Sequence, residues 1–148
     1  MIGSGPLATP RIVRSALPRR ILVDSSVWIA LLRDTESAPV QRLQQFATRD
    51  AILVGDLIAA KVLQGARDEA EATAIGRRFR AFAPVELVGQ AVAIEAPRNY
   101  RSLRARGVTI RRTIDLLIGA WCILHRVPLL HDDRDFLPMQ DHLGLLIA

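Results

Sequence analysis

Short apolar runs alternate with longer segments of helical period along most of this 148-residue chain, and that alternation constrains the fold more than any other feature. Ile21 to Val23, Ala51 to Val54, Val85 to Val88, Val127 to Leu130 and Leu145 to Ile147 are too short for helices. Apart from Val85 to Val88, which holds Glu86, they are also too continuously apolar for strands with one wet face, and all five read as strands of one sheet. Between them the period changes. Ser25 or Ser26 caps a helix carrying Val27, Trp28, Ile29, Leu31 and Leu32. Pro39 opens a second, with Val40, Leu43 and Phe46 on one face. Asp56 caps a third, which carries Leu57, Ile58, Lys61, Val62 and Leu63 and ends near Gly65. Asp68 to Phe82 and Gln90 to Arg106 follow, the latter with Pro97 as a kink point. Ile114, Leu117, Ile118 and Trp121 mark the face of one more helix. The pattern predicts an α/β/α sandwich around a central, mainly parallel sheet.

Half of the residues are hydrophobic, enough for one domain with a true core. That domain is expected over residues 21–148. Residues 1–20 hold Gly3, Gly5, Pro6, Pro10 and Pro18 with four arginines and no acid, and read as a flexible basic leader outside it. No apolar run approaches the ~20 residues that span a bilayer, and the leader lacks the apolar stretch of a signal peptide. A cytoplasmic protein without a membrane partner is expected. The single cysteine, Cys122, excludes an internal disulfide and reads as a small buried hydrophobe.

In parallel α/β folds the ligand site lies beyond the carboxyl ends of the strands. Asp24 closes the first apolar run, and Asp132, Asp133 and Asp135 follow Val127 to Leu130. Asp115 falls in the first turn of an apolar helix, where the macrodipole stabilises a negative charge. Each acid has a plain alternative: Asp24 a helix cap, Asp115 an N-terminal charge, Asp132 to Asp135 a solvated turn paired with Arg134. Delivered to one sheet edge by elements that share a core, they form an acidic pocket. Such a pocket suits a hard divalent ion, which takes oxygen ligands and keeps several waters. A bound ion can orient a phosphodiester, stabilise its developing charge and acidify the attacking water.

The segments ILVDSSVWIALL (Ile21 to Leu32), DLIAAKVLQG (Asp56 to Gly65), TIDLLIGA (Thr113 to Ala120) and LLHDDRDF (Leu129 to Phe136) resemble, in order, the four signature stretches of PIN-domain ribonucleases. They are most similar to the VapC toxins of bacterial toxin–antitoxin pairs. The resemblance implies an endoribonuclease dependent on Mg²⁺ or Mn²⁺. It would hydrolyse structured RNA, tRNA or rRNA, to a 5′-phosphate and a 3′-hydroxyl. An antitoxin protein would neutralise it, and a homodimer is the implied state. The family acids map onto Asp24, Asp115 and Asp133, with Asp135 as a secondary member. Asp24 and Asp115 would hold the metal directly, and Asp133 through water. Ser26 and Thr113 would hydrogen-bond carboxylates or metal waters.

Two positions depart from that pattern. His131 stands where the family has a small hydroxyl residue, and would contact RNA or fill a loop. Lys61 stands where the family has glutamate. It is the only lysine in a chain with nineteen arginines, and reads as a replacement. A unit-charge pair at ~4 Å is worth ~4 kcal/mol at an effective dielectric of ~20. Exchanging an attraction for a repulsion would therefore cost orders of magnitude in metal affinity. The Lys61 ammonium is expected to enter part of the metal position and pair with Asp24 or Asp115, leaving the chain inactive or weakened. The alternative is a lysine that snorkels to solvent beside a weakened three-acid site.

The formal charge of +5 favours a polyanionic partner, although a coding bias toward arginine gives the same count. Six arginines lie between Arg98 and Arg112, with Tyr100 among them to stack on a base. Arg111 and Arg112 directly precede the Asp115 helix and would seat RNA phosphates beside the cleavage centre. Alternatively, this face is simply solvated or docks an acidic antitoxin segment. Trp28, Leu31 and Leu32 would line the antitoxin groove or belong to the core. His125, His131 and His142 lack zinc-ligand spacing, and no phosphate-cradling glycine motif occurs. Ser25, Ser26 and His131 form no nucleophile elbow. A phosphatase built on Asp24 would need a second aspartate at position 26, which is Ser26. The remaining rival is a non-catalytic PIN-like protein that binds RNA or an antitoxin.

Overall fold

The computed structural model describes residues 20–46 and 51–148; the proposed leader, apart from Arg20, lies outside them. Four strands form one sheet: β1 (Ile21–Val23), β2 (Ile52–Gly55), β3 (Ala83–Val85) and β4 (Leu129–Leu130). Their order is β3-β2-β1-β4 and every pairing is parallel. Helices α1 (Ser25–Leu32), α2 (Ala38–Gln44), α3 (Asp56–Gln64), α4 (Glu69–Phe79), α5 (Gln90–Ala105), α6 (Thr113–His125) and α7 (Leu137–Leu143) flank it. The expected parallel α/β architecture is what the chain adopts. The central strand β1 is wholly buried, which explains its unbroken apolar run.

The strand order fixes where a ligand can bind. From β1 the chain steps to β2 and β3 on one side, then returns to β4 on the other. The order therefore reverses between β1 and β4, and the crevice beyond their carboxyl ends is the topological switch point. Asp24 follows β1, and its amide donates to Leu130 O at 2.9 Å. His131 to Asp135 leave β4 at the same edge.

Several boundaries differ from expectation for local reasons. Asp24, not Ser25 or Ser26, caps α1, accepting the Ser26 amide at 3.0 Å. Gly55 caps α3, while the Asp56 carboxylate accepts from the amides of Leu57 at 2.8 Å and Leu87 at 3.0 Å, tying the segment after β3 to α3. Helix α4 ends at Phe79, and the third strand is Ala83–Val85 rather than Val85 to Val88. Pro84 is accommodated because β3 is an edge strand. Leu87 leaves the sheet to fill the space over Gly55, where a Cβ would overlap its side chain. Helix α5 continues through Pro97, which is exposed. Leu145 to Ile147 forms no strand; a single parallel bridge joins Ile147 to Leu129.

Helix α6 carries the largest correction. Ile114 is 41% exposed, and the buried face runs through Asp115, Leu116, Ile118, Gly119, Trp121 and Cys122. Asp115 takes the inward position that an apolar residue would otherwise hold, so Ile114 is turned outward.

Candidate metal centre

Two of the acids are core residues by accessibility. Asp24 and Asp115 are each 1% exposed, an expensive position for a carboxylate without compensation. Compensation is partial. Asp24 Oδ2 accepts from the Ser26 amide at 3.0 Å and the Ser26 hydroxyl at 2.6 Å. Asp24 Oδ1 and Asp115 Oδ2 are buried with no hydrogen-bond partner. Buried carboxylate oxygens left without a donor are what a cation site supplies.

The acids converge. One oxygen from each of Asp115, Asp133 and Asp135 lies within 4.8 Å of the others. Asp24, whose charge acts on Asp115, is not a member of this trio, whereas the secondary acid Asp135 is. The turn after β4 is tightly organised. Asp133 Oδ1 accepts the Asp135 amide at 3.0 Å and opens a single 3₁₀ turn, Arg134–Phe136. His131 Nδ1 accepts the Asp133 amide at 3.1 Å, and its ring packs on Phe136 at 5.0 Å. The Ser26 hydroxyl accepts the Asp132 amide at 3.0 Å.

The charges tell the same story. Burial pushes the Asp115 carboxyl up to about 6; Lys61 pulls against it, while Asp24 and Asp133 raise it further. Burial lowers the His131 pKa against the pull of Asp24 and Asp133, so its ring holds the neutral form more readily than a free histidine. Lys61 is half-buried on α3. The expected ion pair is not formed: among the described residues no carboxylate lies within 4.0 Å of its ammonium. Lys61 instead lines a cavity with Arg112 and Thr113 on the flank of the cluster. A half-buried ammonium keeps part of its hydration there, which close pairing with two buried carboxylates would strip away.

The four predicted substrate-binding residues do not gather at one point, although Thr113 lines one cavity with Arg112 and another with Arg111. Ser26 bonds Asp24, as expected. Arg112 reaches Asp133 Oδ2 at 3.9 Å, a long contact between partly exposed groups that contributes little to stability. Thr113 makes no hydrogen bond to a carboxylate among the described residues, and Arg111 lines a different cavity beside Tyr100 and Leu117. Tyr100 has the Arg104 guanidinium over one face of its ring, 5.6 Å from the centroid. Cys122 is buried, as expected. Sequence reasoning missed Asn99, which is 6% exposed with its amide nitrogen unpartnered. Its spacing with Val92, Ala96 and Leu103 on the buried face of α5 was the available signal.

Comparison with known proteins agrees with this geometry. The family profile described as PIN domain matches residues 21–140. A VapC ribonuclease of Mycobacterium bovis and ribonuclease VapC11 of Mycobacterium tuberculosis are each 32% identical over 119 residues, covering 78% of this chain and 88% of theirs. Among solved structures, VapBC2 from Rickettsia felis bound to a promoter DNA fragment superposes with a TM-score of 0.70 at 12% identity, covering 86% of this chain and 96% of that one. Mycobacterium tuberculosis VapC20, a sarcin–ricin loop cleaving toxin, superposes at 0.60 with 15% identity, covering 86% and 98%. A parallel sheet with acids gathered at its switch point defines an α/β domain with a candidate cation site. The chain belongs to the PIN-domain family, with VapC ribonucleases among its relatives.

Proposed function

We propose that this chain is an endoribonuclease toxin of the VapC kind, acting on structured RNA with Mg²⁺ or Mn²⁺ and weakened by Lys61. The observation that carries this reading is the meeting of Asp115, Asp133 and Asp135 within 4.8 Å beside the buried Asp24. The donor set fits a hard divalent ion: all oxygens, with two of them buried and unpartnered. Such an ion would supply charge stabilisation at the phosphodiester and a more acidic water. Asp24 and Asp115 would hold it, with Asp133 and Asp135 completing the set directly or through water. Ser26 fixes the Asp24 carboxylate. Arg112 is placed to seat an RNA phosphate. Lys61 would weaken the site because its charge acts on Asp115 where the family has an acid.

The partners follow from the same reading. Trp28, Leu31, Leu32 and Phe79 line a cavity of about 340 Å³ rimmed by Arg77 and Arg78, which suits an apolar antitoxin segment with an acidic flank. Among the described residues no helix is long and apolar enough to cross a membrane; a cytoplasmic location belongs to the proposed reading. Residues 21–148 would act as one domain, residues 1–20 as a basic leader, and the chain as a homodimer. The second reading, a non-catalytic RNA- or antitoxin-binding protein, is favoured by the influence of Lys61 on Asp115. The two separate on tRNA and rRNA with Mg²⁺, Mn²⁺ or chelator. Metal-dependent cutting gained by Lys61→Glu supports the enzyme; no cutting by either protein supports the binder.

A further inference from the structure

On the flank of the acid cluster, Lys61 and Arg112 line one cavity of about 480 Å³ together with Gln64 and Thr113. Leu57 and Ile114 contribute an apolar wall, and no carboxylate lines it. Two cations that share a cavity repel each other and favour an anionic guest. Neither is neutralised from within. Among the described residues Lys61 has no carboxylate within 4.0 Å, and Arg112 has only the long contact to Asp133 at 3.9 Å.

The polar lining is rich in hydrogen-bond donors. A guanidinium offers a planar fork to phosphate oxygens, an ammonium offers a compact charge, and the Gln64 amide and Thr113 hydroxyl add further N–H and O–H groups. A phosphate monoester offers three terminal oxygens to these donors; an internal phosphodiester offers two, as a peptide carboxylate does, and differs from it by the ribose and base it carries. The apolar wall suits a ribose or base face, and the volume accommodates a nucleotide.

We infer that this cavity seats a phosphate ester of a nucleotide, held by Lys61 and Arg112, without any need for a divalent ion. The inference rests on the RNA reading of the adjoining site and deepens it. Position 61, which would act on a metal in relatives bearing glutamate, here acts on the RNA strand itself. The chain would then retain RNA affinity in chelator even where cleavage is lost.

The test uses the full chain in EDTA at low salt, with uridine 5′-monophosphate as the probe and amide chemical shifts as the readout. Saturable shifts are expected at Lys61, Thr113 and Ile114. Lys61→Met and Arg112→Gln should each weaken binding about tenfold, as loss of a charge-assisted contact would, while Arg42→Gln on the remote α2 leaves it unchanged. For a short RNA oligonucleotide, each of the two variants should also lower the salt dependence of binding by about one unit of slope. No saturable shift at those amides in the unmodified chain overturns the inference, whether or not the variants fold. Equal nucleotide affinity of a folded Lys61→Met protein also overturns it, as does a glutamate-rich peptide binding the cavity where the nucleotide does not. Cleavage by Lys61→Glu is scored separately, so failure of the phosphate seat and failure of the ribonuclease reading give different results.

Discussion

The Ser26 hydroxyl accepts the backbone amide of Asp132 at 3.0 Å across 106 positions of the chain, and donates at 2.6 Å to Asp24. One hydroxyl thus fixes the strand-end carboxylate and fastens the acidic turn after β4 to the mouth of β1. The two halves of the site are held in register by a side chain rather than by the sheet alone.

Ser26→Ala removes both bonds and leaves the buried Asp24 carboxylate with fewer donors. The expected cost is about 2 kcal/mol of unfolding free energy, in the range for hydrogen bonds to charged groups. Urea denaturation of the full chain measures it, and Ser26→Thr, which restores a hydroxyl, should recover most of the loss.

Asp115 predicts an unusual pH dependence. Its pKa rises from 3.8 to about 6 in the fold, first through burial. Between those values the unfolded chain has released the proton and the folded chain retains it. Stability from this group is therefore full below about pH 4 and declines as pH rises through 6. The change is at most about 3 kcal/mol. Thermal melts in chelator from pH 4 to 7 should show this fall in the unmodified chain relative to Asp115→Asn, which cannot titrate there.

Gly119 lies on the buried face of α6, and a Cβ there would overlap the Met139 sulfur of α7. Met139 is fully buried, so the overlap has little room to relax. Gly119→Ala should destabilise the protein by about 1–3 kcal/mol, the usual range for overpacking. A midpoint shift in thermal or denaturant unfolding checks it.

Much of this was legible in the chain because hydrophobic elements carry the chemistry. Asp24 and Asp133 follow short apolar runs that have to pair in a buried sheet, and Asp115 rides on a helix too apolar to lie outside the core. What escaped were relations that depend on side-chain direction. Nothing in the spacing distinguished Asp135, which joins the tight trio, from Asp24, which does not. Ile114 belonged by period to the apolar face, yet the inward turn of Asp115 displaced it. The third strand begins two residues before the expected Val85, and its Pro84 is allowed by the edge position. The charge at Lys61 was readable, but its preference for the cavity with Arg112 over a carboxylate partner depends on packing among α3, α6 and solvent.

On the proposed reading the acids form a divalent-ion site whose affinity residue 61 governs. Calorimetric titration of Mn²⁺ into the unmodified chain and into Lys61→Glu tests it directly. Lys61→Glu is expected to gain at least about tenfold in affinity, a heavily discounted share of the ~4 kcal/mol of one charge pair, and to lose that gain on adding Asp115→Asn. Equal Mn²⁺ affinity of the two folded proteins, or a gain that survives Asp115→Asn, would contradict that reading.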